Sequence, residues 1–428
     1  MTTVQAQLSP ETLAAFAAEL DALRERVMSE LGASDARYIR RVVTGTRLAE
    51  VSGRALLFAG LFPPAWGAGV ALLSLAKILE NMEIGHNVLH GQYDWLNDPA
   101  LSAADYEWDW ACPAAHWRHA HNFVHHTFTN VLGKDRDLGY GLLRMADEQP
   151  WHPLHVLQPV FALAQALTFE WAVAVHDLEL DAAVRGDKSL RELARDAEPV
   201  LRKLVPQLLK DYVWFPLLAG PAAPAVLTGN LSANLIRNVW AFSVIYCGHF
   251  PDGVDTFQAE PEAGESHGAW YFRQVRGSAN CQGAGVFHLL SGHLSYQVEH
   301  HLFPDMPASR YREISGEVRA ICERYGVQYN TGRFSKQLGG AFKRVLRGAL
   351  PPRAGRTSRA QHQRGLLRHA DQRGHANRTF QLERQGVDAA VYLLRKQLRD
   401  LFAGVRRLHG STARRGGVEQ VVQHQQPA

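Results

Sequence analysis

ALLFAGLFPPAWGAGVALLSLA, residues 55–76, carries no charge and runs within a few residues into EIGHNVLH, residues 83–90. An apolar run of this length reaches across a bilayer, which takes about 20 residues of helix. His86 and His90, four apart, share one face of a helix. Together the two stretches predict a helical protein that carries metal-binding groups to a membrane surface. Pro63 and Pro64 interrupt the run, so a helical hairpin is the second reading of it.

Two further clusters repeat the theme. His121 and His125 keep the same spacing and His126 adds a neighbour at a different angle. His300 and His301 are adjacent, so a twisted or frayed helix end must aim both inward. His249 stands alone at the end of an apolar stretch and is a further candidate ligand. Neutral imidazoles suit iron, copper, nickel or zinc. A structural zinc takes four ligands. The set His86, His90, His121, His125, His126, His249, His300 and His301 is large enough for two ions. A histidine-rich pair of irons is redox-active, whereas a zinc pair hydrolyses and needs a water-activating carboxylate nearby. His293 reads as a ligand or a supporting residue. His116 and His119 read as surface or supporting residues, His288 as a packing residue, and the five tail histidines follow no ligand pattern.

Other apolar segments extend the membrane reading. Residues 156–175 are apolar apart from Gln158, Gln165, Thr168 and Glu170, and either span or lie against the bilayer face. Residues 212–236 are free of charge and 238–250 continue beyond Arg237, which predicts a second hairpin turning near Gly229 and Asn230. Arg37, Arg40 and Arg41 before the first region, and Lys203, Lys210, Arg273 and Arg276 around the second, put these flanks in the cytoplasm. All three histidine clusters then face the cytoplasm.

The 428 residues carry a formal charge of +4, with the basic excess crowded after Pro351. The apolar segments favour a lipid partner over nucleic acid. Four scattered cysteines make neither a disulfide framework nor a cysteine zinc site. No basic stretch followed by an apolar run opens the chain, so no cleavable signal is expected. Ser9, Pro10 and Glu11 start a helix whose Leu13, Phe16, Leu20, Leu23 and Val27 form one apolar face, a packing helix. Three parts are expected: 1–40 with this amphipathic helix, 41–345 as the membrane domain with the metal site, and 346–428 as a basic, largely disordered tail. The tail contains one amphipathic island from Val387 to Val405, and a shifted reading frame is an alternative origin for it.

WRHAHNFVHHTFTN (117–130) and QVEHHLFPDMP (297–307) resemble the second and third histidine boxes of the membrane fatty acid desaturases. Within that family the chain looks most like the actinobacterial NADPH-dependent stearoyl-CoA Δ9-desaturases, through DARYIRR (35–41), ENMEIGHN (80–87), CGHFPDG (247–253) and GSAN (277–280). The likeness covers residues 9 to 350 and leaves out the tail. It implies an all-α membrane protein, with about four transmembrane helices in two hairpins capped by a cytosolic helical domain. It implies two iron ions held by the boxes and His249, and a cis double bond, at Δ9, made in a long-chain acyl-CoA or acyl lipid with O2 and two electrons. Those electrons come from NADPH through a separate iron-sulfur or flavin protein. The expected location is the cell membrane, multi-pass, with no nucleic-acid partner. Gln297 heads the third box, and whether it or His293 also binds iron is open. There is no His-Pro-Gly-Gly motif, so no fused cytochrome b5 domain is expected. The rival readings are a diiron hydroxylase of alkanes, sterols or carotenoids, and a non-catalytic membrane metal-binding protein.

Supporting roles follow from residue type. Glu83, Glu299, Asp94 and Asp305 are candidates to accept from imidazole N–H groups. Lys134-Asp135-Arg136-Asp137 reads as a solvated turn. Trp95, Trp108, Trp110, Trp117 and Trp240 are candidates to line an acyl tunnel, and Arg37, Arg40, Arg118 and Arg276 to hold a CoA phosphate.

Overall fold

The computed structural model describes residues 8–258 and 264–352. The tail island and the tail histidines lie outside these. The described residues divide into two units, one of 8–178 with 194–352 and one of 179–193. In the second unit the described part holds one short helix, Leu180–Arg185. Everything below concerns the first, which is mostly helical.

Helix α1 (Pro10–Ser29) begins as its residues dictate: the Ser9 hydroxyl accepts from the Thr12 N–H and proline occupies the first turn. Phe16, Leu20, Leu23 and Val27 are buried. They join a cluster with Tyr271, Tyr311, Ile314 and Val318, so α1 is a packing helix. Helix α2 (Ala33–Phe58) and helix α3 (Pro63–Ile78) realise the hairpin reading of the first apolar region. The two prolines start α3, where a missing N–H costs nothing. The helices meet at small residues. A Cβ on Gly53 would lie 2.7 Å from the Leu73 nitrogen, and one on Gly69 would lie 3.0 Å from the Gly53 carbonyl oxygen.

The region 156–175 forms two helices, α4 (Gln158–Leu167) and α5 (Phe169–His176), with a bend of 103° at the break. After α6 (Leu190–Leu209) comes α7 (Ala223–His249). The second hairpin does not turn at Gly229 and Asn230, which sit buried inside α7. Its turn is the 3-10 segment Gly220–Ala222. Gly220 takes φ +54° there and Pro224 begins the next helix. The reason is steric: a Cβ on Gly229 would meet Leu57 side-chain atoms at 2.4 Å, so this glycine permits helix contact instead of breaking the chain. No single described helix is long and apolar enough to cross a membrane, and one bent pair, residues 153–167 with α5, passes that test.

The polar end of the fold is built from α8 (His267–Arg276), α9 (Tyr311–Arg324), α10 (Phe334–Ala349) and a two-stranded parallel ribbon, β1 (Asn280–Gln282) with β2 (Thr331–Arg333). Buried ions fasten the hairpins and the helices beside them. Asp211 lies 3.0 Å from Lys77 Nζ and 3.2 Å from an Arg54 guanidinium nitrogen, and Arg237 pairs with Glu170. Such groups enter an apolar interior only when paired.

One contact seats the third histidine box on the first. Gly292 has φ +62°, and a Cβ there would fall 2.1 Å from the Met82 carbonyl oxygen. Gly292→Ala is expected to destabilise the protein by about 1–3 kcal/mol, from left-handed strain with the collision added. A urea or thermal melt of the purified protein checks this, and an unchanged midpoint would contradict it.

Candidate metal centre

Helix α3 does not stop before its histidines. It runs into a π-helical segment, Leu79–Gly85, and then the short helix His86–Leu89, with His90 at its cap. The second cluster is built the same way: Ala114–Trp117, a π-helical segment Arg118–His125, then His126–Phe128. A π-turn inserts an extra residue per turn and re-aims the side chains around it, and such turns concentrate at functional sites. Gly85 allows the first: a Cβ there would lie 2.9 Å from the Glu80 carbonyl oxygen and from the Trp108 ring. His249 is the last residue of α7, and His300 and His301 lie in the helix Gln297–Leu302.

These elements bring the imidazoles into two groups. One ring nitrogen from each of His86, His90, His121 and His300 falls within 4.8 Å of the others. The same holds for His125, His249 and His301. The adjacent pair splits between the groups, its rings at 85° to one another. His126 stands between them, with its ring centroid 4.7 Å from that of His90 and 4.4 Å from that of His301. All eight predicted ligands therefore meet in one place.

Their nitrogens are suited to a metal. His90 Nε2, His121 Nε2, His249 Nδ1 and both nitrogens of His126 are buried without a hydrogen-bond partner. Facing pairs are close: His86 and His300 at 3.3 Å between Nε2 atoms, and His249 and His301 at 3.3 Å. Burial first, then the neighbouring rings, pushes His86, His90, His126, His249, His300 and His301 well below the usual histidine range. Neutral rings keep free lone pairs at neutral pH, which is what a metal ligand needs. His125 is the exception. Burial pushes it down, but Asp135 outweighs this and holds it above its ordinary value.

Of the carboxylates the sequence suggested, Glu83 alone faces an imidazole among the described residues, and that ring is His293, outside the two groups. Asp94 caps the Ala103 N–H at 2.7 Å, and Asp305 pairs with Arg24. Glu299 accepts from Asn280 and Tyr329, and Glu83 from Tyr38 and His293. The supports are instead Asp135, which faces His125 Nδ1 at 3.0 and 3.1 Å, and Asp137, 3.4 Å from His121 Nδ1. The segment expected to be a solvated turn is thus folded inward. Asp135 also accepts from the Asn130 and Asp137 N–H groups. Gln274 Oε1 lies 2.9 Å from His301 Nδ1 and also accepts from the Thr129 hydroxyl. The acid-x-acid spacing beside the second box was the only local sign. Gln274, distant in sequence, gave none. Gln297 lies against the second group, its Nε2 3.0 Å from His249 Nε2, while His293 faces Glu83 at 2.9 Å.

A narrow cavity enclosing about 680 Å³, its open mouth included, touches His86, His121, His125 and His249. Met82, Trp110, Trp117, Phe169, Val173 and Ile245 form its apolar wall. Of the tryptophans named as tunnel candidates, Trp110 and Trp117 line it, and Trp117 stacks on His121 at 4.4 Å. Three of the arginines offered to a CoA phosphate have partners within the chain: Arg40 pairs with Asp98, Arg276 with Asp255, and Arg118 donates to the Ala103 carbonyl. Asp135→Asn is expected to weaken metal binding about 10–100-fold, because the carboxylate that orients and polarises His125 is lost. A chelator-competition titration measures this, with circular dichroism to show an intact helical fold.

The model of the fatty acid desaturase family matches residues 62–333. The chain is 44% identical over 353 residues to an NADPH-dependent stearoyl-CoA 9-desaturase of Mycobacterium tuberculosis (strain ATCC 25618 / H37Rv), covering 81% of this chain and 82% of that one. It is 26% identical to an sn-1 linoleoyl-lipid 6-desaturase of Synechocystis sp., over 64% of this chain and 77% of the other. It is 23% identical to human fatty acid desaturase 3 over 52% of this chain and 47% of that protein. With the histidine boxes gathered as described and most of its length matched, this chain belongs to the fatty acid desaturase family.

Proposed function

We propose that this chain is an oxygen-dependent acyl-CoA desaturase that places a cis double bond at carbon nine of a long saturated chain. One observation carries the reading: two groups of imidazoles, most of them held neutral and several with unpartnered buried nitrogens, converge at the wall of a narrow apolar cavity. The Mycobacterium relative, similar along most of its length, supplies the substrate class and the bond position.

An unactivated methylene has no acidic proton for a base to take, so its hydrogens must leave by oxidation. Bound at this centre, a pair of irons supplies that oxidising power with O2. His86, His90, His121 and His300 would hold one ion and His125, His249 and His301 the other, and the His126 ring lies between the two groups. The protein's own part is to present these rings oriented, and most of them neutral. Asp135 and Asp137 fix the far nitrogens of His125 and His121, and Gln274 that of His301. The apolar wall of Met82, Trp110 and Phe169 suits an alkyl chain and excludes water from the reacting carbons.

The membrane arrangement belongs to the same proposal: four passes in two hairpins, with the centre on the cytoplasmic side. Exposed Leu48, Val51, Phe58, Leu61 and Phe62 around the first hairpin, and Leu217, Leu218, Leu227 and Leu231 around the second, support lipid contact. Electrons reach the centre from NADPH through a separate flavin or iron-sulfur protein.

The test is lipid analysis of a desaturase-deficient host expressing the chain. A new monounsaturated acid with its bond at carbon nine is expected. The purified protein should carry about two irons per chain, and His90→Ala and His301→Ala should each lose iron and product. A hydroxylated product with unchanged fatty acids would replace this reading with the hydroxylase.

A further inference from the structure

Desaturation has a proton requirement that the metal ligands do not meet. Per turnover, two C–H bonds and the O–O bond break, one carbon–carbon π bond forms, and two waters are made. O2 takes four electrons, two from the acyl chain and two from the flavin or iron-sulfur donor. The acyl chain releases two hydrogens and two waters contain four, so two protons must enter from solvent. The cavity wall has to hold a group able to pass them in.

Among the described residues, three aspartates stand at the cavity or behind its histidines. Asp135 and Asp137 are committed to His125 and His121. Asp177 lies at the C-cap of α5 and also lines the cavity. Its side chain meets the thiol of Cys112, with Sγ 2.6 Å from Oδ2. Asp177 is half-buried. Cys112 is fully buried and belongs to the same loop as cavity-lining Trp110. The Cys112 carbonyl in turn accepts from Lys203, which pairs with exposed Glu107.

We propose that Asp177 is the proton donor of this cavity, taking protons from solvent and passing them inward to the oxygen being reduced, and that the Cys112 thiol is its positioning partner. The assignment rests on the desaturase reading above, because a reaction that does not reduce O2 to water has no such demand.

The surroundings suit the task. Burial is the main cause that raises Asp177, to about 6, close enough to neutrality for the carboxyl to give and regain a proton during turnover. Asp137, on the facing loop, adds to that rise. The Cys112 thiol, His176 and Arg136 oppose it. The Cys112 thiol is itself pushed well up, by burial first and then by Asp177, so it stays protonated and donates to the carboxylate. The sign for a variant follows. Removing the thiol donor destabilises the carboxylate, so Asp177 holds its proton to higher pH. The falling limb of the rate profile then moves to higher pH.

The experiment uses the full-length, iron-loaded protein with stearoyl-CoA and a chemical or enzymatic electron donor. Wild type must first form the unsaturated product; if it does not, the desaturase reading is what fails. Given an active wild type, Asp177→Asn is expected to keep its iron content yet lose product formation at least tenfold, and Asp177→Glu to recover most of it. Asp177→Ala should be rescued by added acetate in a concentration-dependent way. Cys112→Ala should shift the falling limb of the pH profile upward, while Cys112→Ser, which keeps a donor, should not. If Asp177→Asn turns over like wild type, or if its loss tracks loss of iron and neither Asp177→Glu nor acetate restores it, the assignment is wrong. A Cys112→Ala profile superimposable on wild type would remove the thiol from it.

Discussion

The whole centre depends on packing eight imidazoles together while leaving most of them uncharged. Protonated rings this close would repel one another, and burial would penalise every charge. Desolvation resolves this for most of the set by holding the rings neutral, and neutral rings pack edge to face like other aromatics. His125 is handled differently, because Asp135 sits behind it with both oxygens in reach. The site is therefore a polar core made compact by low dielectric and anchored by a few acceptors, and its unpartnered nitrogens are what mark it for metal.

That core has to be assembled from segments far apart in the chain, and the frame around it is correspondingly tight. Gly53 with Gly69 lets α2 and α3 approach closely, and Gly292 lets the third-box loop rest on the Met82 carbonyl. Buried ion pairs fasten the helices: Arg54 and Lys77 share Asp211, and Arg237 reaches Glu170. An ion pair inside an apolar layer contributes little net stability, but breaking one leaves a charge with no water to solvate it. Such pairs penalise every mismatched helix arrangement, and so they hold the histidine-bearing ends in register. The cavity inherits its narrowness from this frame, with Trp117 pinned on His121 at one side and Phe169 at the other.

Much of the site was legible because ligand chemistry is written in residue type and spacing. Eight histidines were named from the sequence, and the structure brings all eight together. The first hairpin was also readable from Pro63 and Pro64, since proline starts helices more readily than it continues them. The second was misplaced at Gly229 because a glycine in an apolar run has two physical meanings, a turn or a close helix contact. Here Leu57 packs where a Cβ would be. The Asp135 to Asp137 segment was misread for a related reason. A run of alternating charge is usually solvated, and only the proximity of His125 and His121 turns it inward.

Residue type and local spacing determined the helical class and the set of candidate ligands, while the family came from the resemblance of the boxes to known desaturases. The first two follow from the apolar runs and the histidine periodicity, both properties of neighbouring residues. The tertiary structure decided how the eight imidazoles divide into groups, which carboxylates support them, and that Gln297 rather than His293 lies against the second group. These depend on contacts between segments up to about two hundred residues apart, where burial and direction set the chemistry, and no local pattern encodes either.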